Sequence, residues 1–222
     1  KIIAEHAIKN KVKKIIFFSS GSVYGLKKEK KVTEDLKLNP ISVYNKTKMI
    51  AERVFLSYKN NIDIKCLRPA TVCGFSNRLR LDLTVNKLTF DAFYKNKIFV
   101  DGGKQVRPNI HVEDIVRIID HFCLNKKKFK HNIYNIGFEN LSILQIAQKI
   151  KKKLGAKIII NKTKDIRSYR QDSSRLLKTG FKPKYNVDFA VEQLVHYFKK
   201  VKKNKFSINN FNLKKMNRLK IK

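Results

Sequence analysis

The chain has 222 residues, 42% of them hydrophobic, and its 51 Lys and Arg against 17 Asp and Glu give a formal net charge of +34 at pH 7. This length and apolar content support one substantial core, or one core with a small second lobe, and exclude a disordered chain. No apolar run approaches the ~20 residues that a membrane-spanning helix needs, and no signal peptide is visible, so membrane insertion is not expected.

The high positive charge alone would favour nucleic acid as a partner. The lysines are spread over nearly every segment, however, and no helix-turn-helix, zinc-finger or RNA-binding motif accompanies them. We therefore interpret the charge as a solvated basic surface that attracts phosphorylated substrates, and we do not expect nucleic acid. The three cysteines form no CxxC pair, which fits a reducing cytoplasm.

Predicted helices alternate with single strands along the chain. Helices are predicted at residues 1–10, 44–58, 84–94, 113–124, 142–155 and 187–203, and strands at 13–19, 62–67, 97–100, 132–136 and 158–160. The clearest helix boundaries are a capping box of Ser142 with Gln145 and a closing Gly155. This alternation predicts βαβ units, a largely parallel sheet and the α/β class. Residues 162–184 are polar and loop-rich, and the structure of residues 204–222 stays open.

Two segments carry the strongest chemical signal. Residues 19–25 (SSGSVYG) end a strand, and residues 44–48 (YNKTK) open a helix. Residues four apart share one helix face, so the Lys48 ammonium can lie close to the Tyr44 phenol. A free phenol titrates near pH ~10, and a neighbouring cation favours the phenolate. Tyr44 is therefore a candidate base, and Ser20 can hold the hydroxyl that it deprotonates.

A lone YxxxK is a weak motif, because ordinary amphipathic helices produce it by chance. Four further segments accompany it in order: residues 67–74 (LRPATVCG), 80–86 (RLDLTVN), 107–114 (RPNIHVED) and 134–137 (YNIG). Together they resemble the NAD(P)-dependent epimerase/dehydratase family of extended short-chain dehydrogenases, from residue 1 to about residue 200. The resemblance implies a Rossmann-like doubly wound parallel sheet, of which the chain carries the C-terminal half, with a smaller α/β substrate-binding lobe.

The resemblance also implies a division of the chain and a set of roles. Residues 1–75 would complete the nucleotide-binding domain, residues 76–203 would form mainly the substrate lobe with returning Rossmann elements, and residues 204–222 would be a basic tail. Tyr44, Lys48 and Ser20 would be catalytic. The cofactor, NAD or NADP, would contact Tyr44, Lys48, Pro69 and Ala70. A homodimer through the helices at 1–10 and 44–58 is expected.

The implied substrate is a nucleoside-diphosphate sugar. Its contacts would be Ser20, Ser22, Thr71, Asn86 and Arg107. Asn86 and Arg107 would bind the diphosphate, a role that suits a guanidinium. From the residues alone, Asn86 also fits an ordinary helix position and Arg107 a surface cation. Arg167 and Arg170 could also reach phosphate.

The resemblance also indicates which reactions are favoured. Dehydrating relatives carry an Asp-Glu pair where this chain has Gly21 and Ser22, which favours 4-epimerisation or keto-reduction. The glycine-rich phosphate turn of the family does not occur among these residues, so we expect a fragment of a longer product. The alternatives are a nucleotide-sugar ketoreductase or dehydratase of the same fold, a binding module without turnover, and a catalytically incomplete fragment. A nucleic-acid binder is not favoured.

Overall fold

The computed structural model describes residues 1–125, 129–163 and 168–219, along which helices alternate with short strands. The helices are α1 (Ile2–Lys9), α2 (Val43–Ser57), α3 (Thr84–Lys95), α4 (Val112–Leu124), α5 (Ile143–Leu154), α6 (Ser174–Leu177), α7 (Val187–Lys200) and α8 (Asn212–Arg218). The strands are β1 (Lys14–Phe18), β2 (Asp63–Pro69), β3 (Thr71–Cys73), β4 (Lys97–Asp101), β5 (Val106–His111), β6 (Ile133–Ile136), β7 (Glu139–Ser142) and β8 (Lys157–Asn161). The predicted α/β class is confirmed, and each predicted helix and strand has an observed counterpart.

The central sheet is parallel, in the order β1-β2-β6. β1 and β2 are neighbours joined through α2, which makes the βαβ unit that the alternation predicts. Phe18 lies opposite Leu67, and Pro69 lies opposite Ile136. Because the three strands run in one direction, their carboxyl ends lie at one edge of the sheet. In open parallel sheets this edge is where ligands bind.

Two smaller sheets accompany the central one. β3 pairs in parallel with β5, β5 pairs antiparallel with β7, and β4 pairs in parallel with β8. The sequence does not predict β3, β5 or β7. β3 has three residues, and β5 contains Pro108 between two polar residues, so neither gives a clear strand pattern. Four of the five pairs among the described strands are parallel, so the expectation of largely parallel pairing is confirmed.

The core lies on both faces of the central sheet. On one face Leu67, Tyr134 and Ile136 pack with Ile118 and Phe122 of α4, and all five are buried. Alternate residues of β2 point the other way and pack against α1 and α2. A second apolar cluster joins α3, α5 and α7. The sheet is therefore covered by helices on both faces, as a parallel sheet requires.

Local signals set the helix ends that the sequence predicts best. Ser142 Oγ accepts a bond from the Gln145 amide, and the Gln145 side chain accepts one from the Ser142 amide, at 3.1 and 2.8 Å. Gly155 ends α5 in the left-handed conformation. The predicted capping box and C-cap are confirmed.

Residues 162–184 and 204–222, for which the sequence predicts no helix or strand, also contain regular structure. Within residues 162–184 the short helix α6 was not predicted, and residues 164–167 lie outside the described part of the chain. Beyond α7 the chain makes two short 3₁₀ turns and α8, and it folds back on α3, where Phe206 and Phe211 meet the edge of Phe90. None of the helices among the described residues is long and apolar enough to cross a bilayer.

Candidate active site

The serine-rich loop follows β1 at the carboxyl edge of the central sheet. Ser20 caps a 3₁₀ turn over Gly21–Tyr24, where its Oγ accepts a bond from the Ser22 amide at 3.2 Å. Gly25 then reverses the chain with a φ of 70°, and a Cβ at this position would lie 1.9 Å from the Asn39 carbonyl oxygen. Only glycine fits both the backbone angle and this close approach.

Tyr44 and Lys48 lie at the start of α2, facing the end of β1. The helix begins at Ser42, whose Oγ accepts a bond from the Asn45 amide at 3.2 Å. Lys48 Nζ lies 5.9 Å from the centroid of the Tyr44 ring and donates to the Phe18 carbonyl at 2.8 Å. Burial lowers the pKa of Lys48. The ammonium is thus fixed between the strand end and the phenol ring.

Three polar side chains form a hydrogen-bond chain beside Tyr44. Ser20 Oγ and Ser22 Oγ are 2.7 Å apart, and Ser22 Oγ donates to Asn45 Oδ1 at 2.7 Å. Because the Ser22 hydrogen is directed to Asn45, the Ser20 hydroxyl donates to Ser22. The two serines that the sequence singles out are therefore oriented together by the residue that follows Tyr44.

A cavity of about 470 Å³ opens at this edge. Its lining includes four of the residues predicted from the sequence, Ser22, Tyr44, Thr71 and Arg107. Tyr44 is 57% exposed, so its phenol is accessible from the cavity. Thr71 begins β3, and Arg107 on the neighbouring β5 places a cation in the wall.

Two lining residues, Asn45 and Tyr169, escape the sequence analysis. Asn45 gives no signal of its own, because its role depends on the loop 23 residues away. Tyr169 lies in a segment noted only for its arginines. Of those arginines, Arg167 lies outside the described residues and Arg170 is exposed.

Asn86 does not line this cavity. Its side chain is 3% exposed, accepts a bond from the Gly74 amide at 3.1 Å, and donates to the carbonyls of Gly74 and Arg80 at 3.2 and 3.0 Å. Both amide hydrogens are therefore engaged by backbone. In this structure Asn86 holds the turn after β3 against α3.

Pro69 and Ala70 lie where β2 ends, and they do not line the cavity either. Ala70 is buried, and its amide donates to the Ile136 carbonyl at 2.9 Å. The loop is thus fixed to the end of β6. Lys48 and Ser20 are also outside the lining, but each contacts a residue that belongs to it, Tyr44 and Ser22 respectively.

The nearby Tyr24 shows why Tyr44 is the better candidate base. Tyr24 is fully buried, its hydroxyl donates to Asn135 Oδ1 at 2.8 Å, and it accepts from Arg68 Nη1 at 2.8 Å. Burial raises the pKa of Tyr24 to about 12. A phenol held in this way has no free proton site, whereas the Tyr44 phenol is open to a ligand.

A model of the NAD dependent epimerase/dehydratase family matches residues 1–137, which is more than half of the chain. The chain belongs to this family. The matched region contains the serine loop, the YNKTK helix and the loop at Pro69. The resemblance predicted from the sequence is confirmed.

Similar proteins include UDP-glucose 4-epimerases. The UDP-glucose 4-epimerase of Lactobacillus helveticus is 31% identical over 163 residues, which cover 63% of this chain and 49% of that protein. The chain thus spans about half the length of that relative.

Solved structures share the fold. The UDP-glucuronic acid 4-epimerase from Bacillus cereus, solved with NAD, is 28% identical and has a TM-score of 0.79 over 90% of this chain and 64% of that one. The NDP-hexosamine 5,6-dehydratase TunA has a TM-score of 0.80 at 18% identity over 91% of this chain and 68% of that one, which supports the fold alone. The expected Rossmann-like fold is confirmed.

Proposed function

We propose that this chain is the catalytic and substrate-binding part of an NAD(P)-dependent nucleotide-sugar 4-epimerase. The observation that carries the proposal is the cavity where the accessible Tyr44, with Lys48 beside it, opposes Ser22, Thr71 and Arg107. The relatives from Lactobacillus helveticus and Bacillus cereus are a UDP-glucose 4-epimerase and a UDP-glucuronic acid 4-epimerase, which supports 4-epimerisation of a nucleoside-diphosphate sugar.

The residues at the ends of β1 and β2 fit the nicotinamide end of the cofactor. The Lys48 ammonium lies at the carboxyl edge of the sheet, within reach of a ribose hydroxyl, and the Pro69-Ala70 loop is fixed beside it. A nicotinamide cofactor held there would supply reversible hydride transfer for oxidation and reduction of the sugar. The glycine-rich turn that cradles the pyrophosphate is not encoded in these 222 residues.

The residues of the chain divide the remaining work. Tyr44 removes the proton from the sugar hydroxyl, and the charge on Lys48 favours the phenolate that does so. When substrate binds, the Ser20 and Ser22 hydroxyls exchange a bond of their hydrogen-bond chain for one to the reacting oxygen, which orients it. Arg107 binds the diphosphate with paired N–H donors, which anchors the nucleotide while the sugar is oxidised and reduced. Tyr44 then returns its proton to the oxygen of the keto-sugar, which gives the inverted carbinol when the opposite face of the carbonyl is reduced.

The lining of the cavity argues against dehydration. No carboxylate is among the described residues that line it, so the group that would eliminate water is missing there. Keto-reduction by the same residues, and a fragment that binds without turnover, remain the alternatives to epimerisation.

We further propose the domain division given above, a cytoplasmic location and a homodimer. Residues 1–75 supply both β1 and β2 of the central sheet, and β6 returns to that sheet from the region beyond residue 76. Two buried thiols that form no disulfide suit a reducing compartment. The dimer would use α1 and α2.

A tyrosine pair on one helix tests the proposal. The test uses a protein that carries this chain together with its glycine-rich half. In that protein, Tyr44→Phe should lower the rate at which UDP-sugar 4-epimers interconvert by about 10²- to 10⁴-fold. Tyr58→Phe is the matched control, because Tyr58 ends the same helix and bonds to Glu5 instead of facing the cavity. It should retain normal turnover. Near-normal turnover in Tyr44→Phe would refute the assignment.

A further inference from the structure

All the charged residues in the last part of the chain are basic. Residues 199–222 contain nine Lys and one Arg and no Asp or Glu, whereas the whole chain has 17 acidic residues. The described lysines of the 3₁₀ turn at Lys203–Lys205 and those of α8 are not ion-paired with any described carboxylate. Positive charge therefore predominates on the surface formed by the described residues of this segment.

α8 combines these charges with exposed apolar side chains. Leu213, Met216 and Leu219 are 61%, 43% and 58% exposed. Their spacing of three residues places them along one side of the helix. Lys214 and Arg218 are exposed beside them. The helix has no buried residue, so a large part of each of these side chains faces solvent.

Hydrogen bonds to the rest of the domain fix the start of α8. Arg78 donates to the Asn209 carbonyl at 2.7 Å and to Asn212 Oδ1 at 3.0 Å. The Leu213 amide donates to Asp82 Oδ2 at 3.2 Å. These bonds fix the start of the helix on the domain. The leucines and the methionine are therefore presented outward on a rigid support.

A recess lies next to the same helix. It has a volume of about 510 Å³, with Leu213 and Lys214 in one wall and the rings of Phe90, Phe206 and Phe211 among its lining. Charged residues, among them Asp82, Asp91 and Lys203, also line the recess, and its aromatic rings give an alkyl chain a surface to pack on beside the exposed residues.

We propose that α8 and the preceding basic turn form an interfacial surface that binds anionic phospholipid bilayers. Leu213, Met216 and Leu219 enter the boundary between headgroups and acyl chains, and the surrounding cations contact the lipid phosphates. This role goes beyond the proposed epimerase activity. It would place the enzyme at a membrane surface.

The side chains favour a bilayer over nucleic acid. Exposed aliphatic groups gain nothing from a phosphate backbone, and single-stranded nucleic acids are bound through stacking on exposed aromatic rings. Phe206 and Phe211, the aromatic residues in this segment, are partly buried against Phe90. A bilayer satisfies both the charged and the aliphatic groups.

Sedimentation of the 222-residue chain with vesicles tests this surface. We expect binding to vesicles of phosphatidylserine and phosphatidylcholine in equal parts, and little binding to phosphatidylcholine alone. The triple variant Leu213→Ser, Met216→Ser and Leu219→Ser should bind the anionic vesicles about 10-fold more weakly or worse. Because the three residues are exposed, circular dichroism should show the fold unchanged.

Two double variants that remove the same charge distinguish binding through this surface from nonspecific electrostatic binding. Lys214→Gln with Lys215→Gln should weaken vesicle binding, whereas Lys151→Gln with Lys152→Gln on α5, which removes the same charge, should not. Equal losses in the two pairs would overturn the proposal, as would undiminished binding of the triple serine variant. Tight binding of duplex or single-stranded nucleic acid with no binding of anionic vesicles would also overturn it.

Discussion

Arg68 and Glu52 form a bidentate ion pair inside the protein, with Nε–Oε2 and Nη2–Oε1 distances of 3.1 and 2.5 Å. The two side chains are only 3% and 2% exposed. Arg68 also donates through Nη1 to the Tyr24 hydroxyl at 2.8 Å. Glu52 belongs to α2 and Arg68 to β2, so the pair joins the helix of Tyr44 and Lys48 to the central sheet and to the serine loop.

Breaking this pair should cost much of the stability of the fold. Glu52→Ala leaves the Arg68 guanidinium buried without its counter-charge, and the free energy of unfolding should fall by about 3 to 5 kcal/mol. Urea unfolding followed by circular dichroism measures the change. The matched control is Glu192→Ala, because Glu192 pairs with Lys153 at 2.7 Å on the surface. That change should stay under about 1 kcal/mol. A loss no larger in Glu52→Ala than in the control would contradict the prediction.

The ion pair also shows what the sequence could not predict. The helices α2 and α5 follow from short-range signals, namely apolar spacing and the caps at Ser42 and Ser142. Arg68 and Glu52 meet only after α2 has packed on the sheet, so their spacing in the sequence does not predict this contact. The same holds for Ser22 and Asn45, whose bond joins two separate segments.

The positions of the candidate site residues could be predicted only where they depend on short-range geometry. Tyr44 and Lys48 are four apart on one helix, so their proximity follows from helical geometry. Asn86 was selected by resemblance, and its position depends on the turn at Gly74, which folds over the side chain and takes up its hydrogen bonds. The sequence leaves the structure of the basic tail open because its start is held by contacts of Phe206 and Phe211 with Phe90 on α3, and these contacts join residues far apart in the sequence.

The three thiols should differ sharply in reactivity. Cys66 and Cys73 are buried, and burial raises the pKa of each thiol to about 12, whereas Cys123 is exposed. The thiolate is the reactive form, so at about pH 8 the buried thiols stay protonated and shielded. A thiol reagent should modify one cysteine in the native chain and all three after denaturation. Cys123→Ser should abolish the native reaction. Rapid native modification of that variant would show that the buried thiols are accessible.

The 222-residue chain should bind dinucleotide poorly. The glycine turn that lets a helix N-terminus approach the pyrophosphate is not encoded here, so only the contacts at the nicotinamide end are available. Isothermal titration calorimetry with NAD and with NADP should give no micromolar affinity. A protein that also carries the glycine-rich half serves as the positive control. Micromolar binding to the 222-residue chain would show that the pyrophosphate is held by residues we have not identified.

The homodimer prediction rests on two apolar sides of α1 and α2. One side faces inward: Phe55 lies 4.8 Å from Phe17 between ring centroids, and Ala7, Ile8 and Tyr58 pack on the same cluster beneath the sheet. The other side faces solvent, since Ile2, Ile3 and Ile50 are 71%, 69% and 56% exposed. Helices that only covered the sheet would need the first side alone.

Ile50→Asp therefore tests the dimer better than a change at Phe55, which would also damage the core. In a protein that carries the chain with its glycine-rich half, light scattering should give a dimer at micromolar concentration, and Ile50→Asp should give a monomer with unchanged circular dichroism. Leu124→Asp is the control, because Leu124 is 79% exposed at the end of α4, outside the predicted interface. It should leave the dimer intact. A wild-type monomer would mean that this apolar side packs on other parts of the same polypeptide, and equal dissociation by both variants would place the interface elsewhere.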